Sequence, residues 1–249
     1  MTGRAPRQLS LRVSLDDEAT FSNFFVPSDS ATGALAVKHL QQRLLNWQQC
    51  EARKGATLLE DFTWLWGSQG AGCSHLLQAV CHAADEAGLK VFYLDFADAD
   101  SLRPEVLDGL EQLDVLCLDH LDQMPAQSAW EQALFGLYNR LAQSGCALIA
   151  AASRSPQQMS FMLPDLLSRL QSAAVFYVQV LDDQHKAAAL QMRAIRRGFT
   201  ISNEVAEFLV RRSERSTSSL FSLLNELDRH SLEAGRRITI PMLKTLMGW

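Results

Sequence analysis

Five short apolar runs, each followed by a helical stretch, constrain this chain more than any other feature. They are FTWLWG (residues 62–67), KVFYLDF (90–96), DVLCLDHLD (114–122), CALIAAAS (146–153) and AVFYVQVL (174–181). Near-continuous apolar runs of this length are what strands buried on both faces require. Helical spacing marks residues 34–49, 74–87, 103–112, 129–143 and 164–170 around and between them. Strand–helix alternation predicts an α/β fold, a parallel five-stranded sheet flanked by helices. After residue 181 the strands stop, and residues 182–197, 202–212, 216–234 and 239–247 all read as helices. The expected organisation is a flexible polar tail over 1–20, an α/β body over 21–181 and a small all-helical lid over 182–249.

The first run leads into the richest motif. Residues 67–75, GSQGAGCSH, join the first predicted strand to the first helix after it. A phosphate-binding loop has four residues between two glycines, then lysine and serine or threonine. Gly67 and Gly72 have that spacing, Gly70 adds freedom between them, and Ser74 holds the position of a magnesium ligand. Strand before and helix after separate this loop from a plain glycine turn, because successive backbone N–H groups and the helix N-terminus together make the anion site. Gly67, Gln69, Gly70, Ala71, Gly72, Cys73, Ser74 and His75 are therefore the candidate phosphate contacts.

Cys73 stands where the lysine is expected. That lysine serves the outer phosphates during transfer. A cysteine is too short and carries no positive charge, whereas main-chain amides do not depend on the side chain. The loop is expected to keep a diphosphate, to hold a triphosphate weakly and to hydrolyse little. A helix N-terminus lowers a thiol pKa, so a reactive Cys73 is a further reading, although no His or Asn relay is legible beside it.

The strand VLCLD ends at Asp119, placed to hold magnesium directly or through water. An active ATPase would follow it with a carboxylate that orients water; here His120 follows, and Asp122 comes later. The next strand ends at Ser153 and Arg154, candidate phosphate sensors because ligands of parallel sheets sit outside the carboxyl ends of the strands.

Composition excludes several classes. The chain has 249 residues, is 47% hydrophobic and carries a net charge of −5, so its overall charge favours neither nucleic acid nor a membrane surface. Its five cysteines, at 50, 73, 81, 117 and 146, match no zinc spacing, and their odd number argues against a disulfide scaffold. Cys117 and Cys146 lie inside apolar runs and are expected to be buried. With no signal peptide and no membrane-length apolar segment, a cytoplasmic location is expected.

The order of phosphate loop, aspartate strand, polar strand end, short helix with arginine and helical lid resembles the AAA+ ATPases. TFSNFFVPSDSATGAL, WGSQGAGCSHLLQAV, SRSPQQM, LPDLLSRL and IRRGFTISNEVAEFLVRR are similar to the bacterial initiator DnaA. EVLDGLEQLDVLCLDHLD, the tail and a chain that ends at Trp249, just after the lid, resemble the Hda-type regulatory inactivators within that branch. The AAA+ P-loop fold is the fold this implies.

The resemblance assigns further roles. Arg169, in LPDLLSRL, matches the arginine finger that acts in trans on a neighbour's ATP. Phe24, Phe25 and Val26 match the segment that walls the nucleobase, although packing on the sheet explains them nearly as well. The lid position at which relatives carry a nucleotide-sensing arginine is Ser218, with Arg215 nearby. QLSLRV is similar to the peptide that docks on the replicative sliding clamp, with Gln8, Leu9, Leu11 and Val13 as anchors. An inactivator of this kind carries ADP, is nucleoid-associated through the clamp, and stimulates ATP hydrolysis by DnaA, suppressing initiation. Its DNA contact is expected to be indirect, and a homodimer is plausible by family analogy. The base of the diphosphate is not encoded visibly.

Lys186, Arg193, Arg196, Arg197, Arg211, Arg212 and Arg215 form a basic lid cluster. A solvated helical face is the default reading, and contact with DNA or an acidic initiator the alternative. Two other functions compete with the regulator: an autonomous AAA+ ATPase or loader-type DNA remodeller, and a nucleotide-free adaptor with a vestigial loop.

Overall fold

The computed structural model describes residues 15–49, 61–212, 219–224, 227 and 238–248. Gln8, Leu9, Leu11, Val13, Arg215, Ser218 and Cys50 lie outside the described residues.

The five apolar runs form β1 (Phe62–Trp66), β2 (Val91–Asp95), β3 (Val115–Asp119), β4 (Ala147–Ala152) and β5 (Ala174–Tyr177). They make one sheet in the order β2-β3-β4-β1-β5, with every pairing parallel. Each strand is shorter than its apolar run because ladder bonds stop where the chain turns away. The helices of the body are α1 (Ala31–Gln49), α2 (Cys73–Glu86), α3 (Ser128–Ser144) and α4 (Pro164–Leu170).

Alternation along the strands supplies two cores. Leu116, Leu118, Leu148 and Ala150 face Leu134, Leu137 and Leu141 of α3 and Leu166 and Leu170 of α4. Val115, Cys117, Ile149 and Ala151 face the opposite side, against Leu40 and Leu44 of α1 and Leu76, Leu77 and Val80 of α2. Cys117 and Cys146 are buried, as their apolar context predicts. The chain leaves β1 through α2 for β2 at the far edge, while β4 and β5 flank β1. The carboxyl ends of β1 and β4 therefore open a crevice at a switch point.

The lid contains α5 (Asp183–Arg196), α6 (Asn203–Arg212), the helical residues 219–224 and α7 (Ile240–Met247). Leu190, Ala194, Val205, Leu209, Leu220, Leu224 and Leu243 form its separate core. Of the helix expected over 216–234, only residues 219–224 and 227 are among those described.

Two expectations are corrected. Residues 103–112 are not one helix: two 3-10 turns, Pro104–Leu107 and Leu110–Gln112, are separated by Gly109 at φ 80°. A left-handed residue cannot continue a right-handed helix. Residues 15–20 are not part of a loose tail either. Asp16 N donates to Gln78 Oε1 of α2 at 2.9 Å, and Ala19 is buried. No helix among the described residues is long and apolar enough to cross a membrane.

Candidate functional site

The loop after β1 is held from both sides. Gly67 N donates to Ala152 O at 3.3 Å, and Val178 N donates to Trp66 O at 2.8 Å. A Cβ at Gly67 would lie 2.3 Å from Val178 O, so only glycine lets the chain pass. Gly72 has φ 100° and is the N-cap of α2, and as a glycine it supplies no side-chain cap bond. The first N–H groups of the helix thus point toward the loop without a side-chain cap, as an anion site requires.

Residues 67–75 all line a cavity of about 670 Å³ between body and lid. Phe24, Phe25 and Val26 form part of its wall, and Phe24 also packs 5.6 Å from the His75 ring. Asp119 and Ser153 line it from the strand ends. Arg154 lies outside the lining; its carbonyl accepts from Trp64 Nε1 at 3.0 Å. Arg169 is exposed on α4, also outside the lining, with its guanidinium carbon 5.9 Å from the centroid of the Tyr138 ring.

The chemistry of the loop differs from that of a hydrolase. Burial, aided by Asp119, pushes the Cys73 thiol up to about 12. Desolvation outweighs the helix end, so Cys73 is a protonated thiol at neutral pH and the reactive-cysteine reading falls. His75 uses both ring nitrogens internally: Nε2–H donates to Thr20 O at 2.8 Å, and Nδ1 accepts from Arg193 Nη2 at 3.2 Å. Burial, with Arg193 nearby, holds His75 down to about 4, so it is neutral and works as a joint within the wall.

Asp119 is 1% exposed and already satisfied. Tyr93 Oη–H donates to its Oδ2 at 2.5 Å, and His120 N–H to its Oδ1 at 2.9 Å. His120 takes a left-handed conformation, φ 49°, which turns its ring to Asp95: Nδ1 lies 2.7 Å from Oδ1. That bond raises His120 to about 9. Asp122 also lines the cavity and accepts from both Ser153 N, at 3.1 Å, and Ser153 Oγ.

Ser74 and Asp119 are the sequence candidates for magnesium, and Asp95, Asp119 and His120 bring ligand atoms within 4.8 Å of one another. His120 Nδ1 is bonded to Asp95, and each Asp119 oxygen accepts one internal donor. A carboxylate oxygen has two lone pairs, so these bonds leave Asp119 able to hold a divalent cation, with Ser74 as its second candidate ligand.

The basic lid cluster divides in two. Lys186 and Arg193 are buried, and Arg197 reaches inward to Glu18. Arg193 Nε donates to Asn23 O at 3.3 Å, and its guanidinium lies 3.5 Å from the centroid of the Phe221 ring. Arg196, Arg211 and Arg212 remain exposed, with Arg211 paired to Glu207. The inward role of Arg193 was missed from the sequence, yet a signal exists. Lys186, Arg193 and Arg197 share a helical stripe with Leu190, which faces the lid core.

The model of the bacterial DnaA ATPase domain matches residues 15–176, more than half of the chain. The chain belongs to the bacterial DnaA ATPase-domain family. The model described as the Hda lid domain matches residues 183–247. Domain III of the Thermotoga maritima replication initiation protein DnaA is similar at a TM-score of 0.68 and 20% identity, covering 94% of this chain and 97% of that one. AMPPCP-bound DnaA from Aquifex aeolicus is similar at 0.66 and 21%, covering 89% and 69%. The Thermotoga maritima branch-migration motor RuvB follows at 0.56 and 17%, covering 85% and 68%. This DnaA-family chain is thus an AAA+ nucleotide-binding fold carrying an Hda-like lid, a combination that belongs to the regulation of replication initiation.

Proposed function

We propose that the chain is a negative regulator of replication initiation that holds a nucleoside diphosphate and stimulates ATP hydrolysis by the initiator DnaA. Its own residues divide the work. The loop amides and the α2 end bind the diphosphate, ADP by family analogy. Phe24, Phe25 and Val26 wall the base, and Ser153 lies beside the phosphates. Arg169 extends from α4 and places a fixed positive fork beside the phosphates of a partner's ATP as charge develops there. QLSLRV tethers the protein to the DNA-loaded clamp and raises its local concentration at new replication forks. Contact with DNA is then indirect, and a homodimer is a candidate resting state.

The observation that carries this reading is the separation of Arg169 from a cavity whose described lining has a cysteine at the lysine position and a histidine after Asp119. Arg169 is exposed and outside the lining, while the lysine position is the protonated Cys73 and the position after Asp119 is a histidine bonded to Asp95. An autonomous ATPase would need a lysine and a carboxylate at those positions. A vestigial loop would not need to keep an uncapped helix end and an open cavity.

The test is hydrolysis by ATP-loaded initiator in the presence of clamp and DNA. Arg169→Ala is expected to abolish the stimulation while leaving the bound nucleotide in place; full stimulation by that variant sinks the finger role. Alanine at Gln8 and Leu11 is expected to remove the protein from clamp pull-downs, and undiminished capture refutes the tether.

A further inference from the structure

α4 carries Arg169 on a helix of seven residues, Pro164–Leu170. So short a segment has little intrinsic helix stability and must be held by its neighbours. The holding comes from α3, and from both ends at once.

At the start of α4, Glu131 is 3% exposed although it is a carboxylate. Its Oε1 accepts from Met162 N at 3.0 Å and its Oε2 from Leu163 N at 2.7 Å. These are the last two N–H groups before Pro164, which has none to offer. Burying a carboxylate is costly unless its oxygens are satisfied, and here two charge-assisted bonds do that. At the other end, Ser172 Oγ–H donates to Arg169 O at 2.7 Å. That hydroxyl has one proton, so Tyr138 Oη–H must be the donor in the 3.1 Å contact with Ser172 Oγ. Tyr138 is anchored in turn: its ring meets Phe62 of β1 edge to face at 5.9 Å, and its face lies 5.9 Å from the Arg169 guanidinium carbon.

Glu131 and Tyr138 are seven residues apart on α3, which puts them on one face about 10.5 Å apart. A helix of the length of α4 spans about the same distance. The two grips therefore match the two ends of α4, and Tyr138 references it to the central sheet.

We infer that Glu131 and Tyr138 are positioning residues for Arg169, setting its place and direction before any partner arrives. This rests on the reading of Arg169 as a finger acting in trans. A finger delivers its effect only if its fork meets the phosphates in register, and small misplacements of a catalytic group cost orders of magnitude. Both residues are internal and touch no substrate themselves.

The test uses the full chain with clamp, DNA and ATP-loaded initiator, comparing Glu131→Gln, Tyr138→Phe, Arg169→Ala and the double variants. Glu131→Gln replaces one acceptor by a donor, and Tyr138→Phe keeps the ring but removes the bond to Ser172. Each single change is expected to lower the maximal stimulated rate roughly ten- to hundredfold. The concentration for half-maximal stimulation and the content of bound nucleotide are expected to stay unchanged. In the Arg169→Ala background neither change is expected to lower the rate further. Loss with Arg169→Ala but full rate with both Glu131→Gln and Tyr138→Phe overturns the inference and spares the finger. Full rate with Arg169→Ala overturns the finger and the inference with it. If Glu131→Gln loses its nucleotide, Tyr138→Phe decides alone, and an altered half-maximal concentration with an unchanged maximal rate in that variant counts against positioning.

Discussion

Arg193 Nη2 and His75 Nδ1 meet at 3.2 Å, joining the first helix of the lid to the first turn of the phosphate-loop helix. The same guanidinium bonds the carbonyl of Asn23, one residue before the base wall, and lies 3.9 Å from Glu18. One buried cation thus ties together lid, loop and N-terminal segment at the rim of the cavity. A hydrogen bond to a charged group contributes about 1.5–3 kcal/mol. Arg193→Ala is expected to speed release of a fluorescent diphosphate by roughly tenfold or more. An unchanged release rate in stopped flow would show that the lid closes without this tie.

The same pair sets a pH dependence. His75 is held at about 4, below its ordinary 6.5, chiefly by burial. As pH falls, the unfolded chain therefore binds this proton before the folded chain does. The stability that depends on neutral His75 is complete above about pH 6.5 and is lost as pH drops toward 4. Denaturant melts between pH 7 and 4.5 are expected to fall more steeply for the native chain than for His75→Gln. A ring titration by NMR with a midpoint near 6.5 would contradict the buried joint.

Cys73 is expected to resist alkylation. With its thiol pushed up to about 12, little thiolate exists at pH 8, and iodoacetamide should label it only after unfolding. Rapid labelling of the folded chain, located by mass spectrometry, would contradict this environment. Cys73→Lys is expected to raise triphosphate affinity about tenfold, since it adds a cation for the outer phosphates, while altering diphosphate affinity less. Calorimetry with both nucleotides measures the ratio, and an unchanged ratio would show that the missing lysine is not what limits the third phosphate.

Gly67→Ala tests the passage at the head of the loop. Its new Cβ would press on Val178 O at 2.3 Å, a backbone atom that cannot swing away. Overpacking of this kind costs about 1–3 kcal/mol. Urea melts are expected to show a lower midpoint with an unchanged slope, and a native-like midpoint would mean that the loop can move aside.

The sequence by itself determined the sheet, its parallel sense, the place of the loop and the division into body and lid. Those follow from local periodicity and from glycines whose freedom is a property of the single residue, so Phe62–Trp66, Gly72 and Cys73–Glu86 were readable in order. Its limits show in residues whose roles depend on partners far along the chain. Gly109 breaks the helix expected over 103–112 because its left-handed backbone overrides the local pattern. His75, taken for a phosphate contact, spends its nitrogens on Thr20 and Arg193, 55 and 118 residues away. Cys73 had a helix end to lower its pKa, and only the packed cavity with Asp119 beside it shows that burial wins. Arg193 looked like one charge in a solvated cluster until α5 folded with that stripe inward. Glu131 carried no signal at all, because a carboxylate that accepts from Met162 and Leu163 is defined by the fold that brings them together. Short-range propensity acts through neighbours in sequence, whereas burial, charge and hydrogen bonding act through neighbours in space, and only the tertiary structure decides which those are.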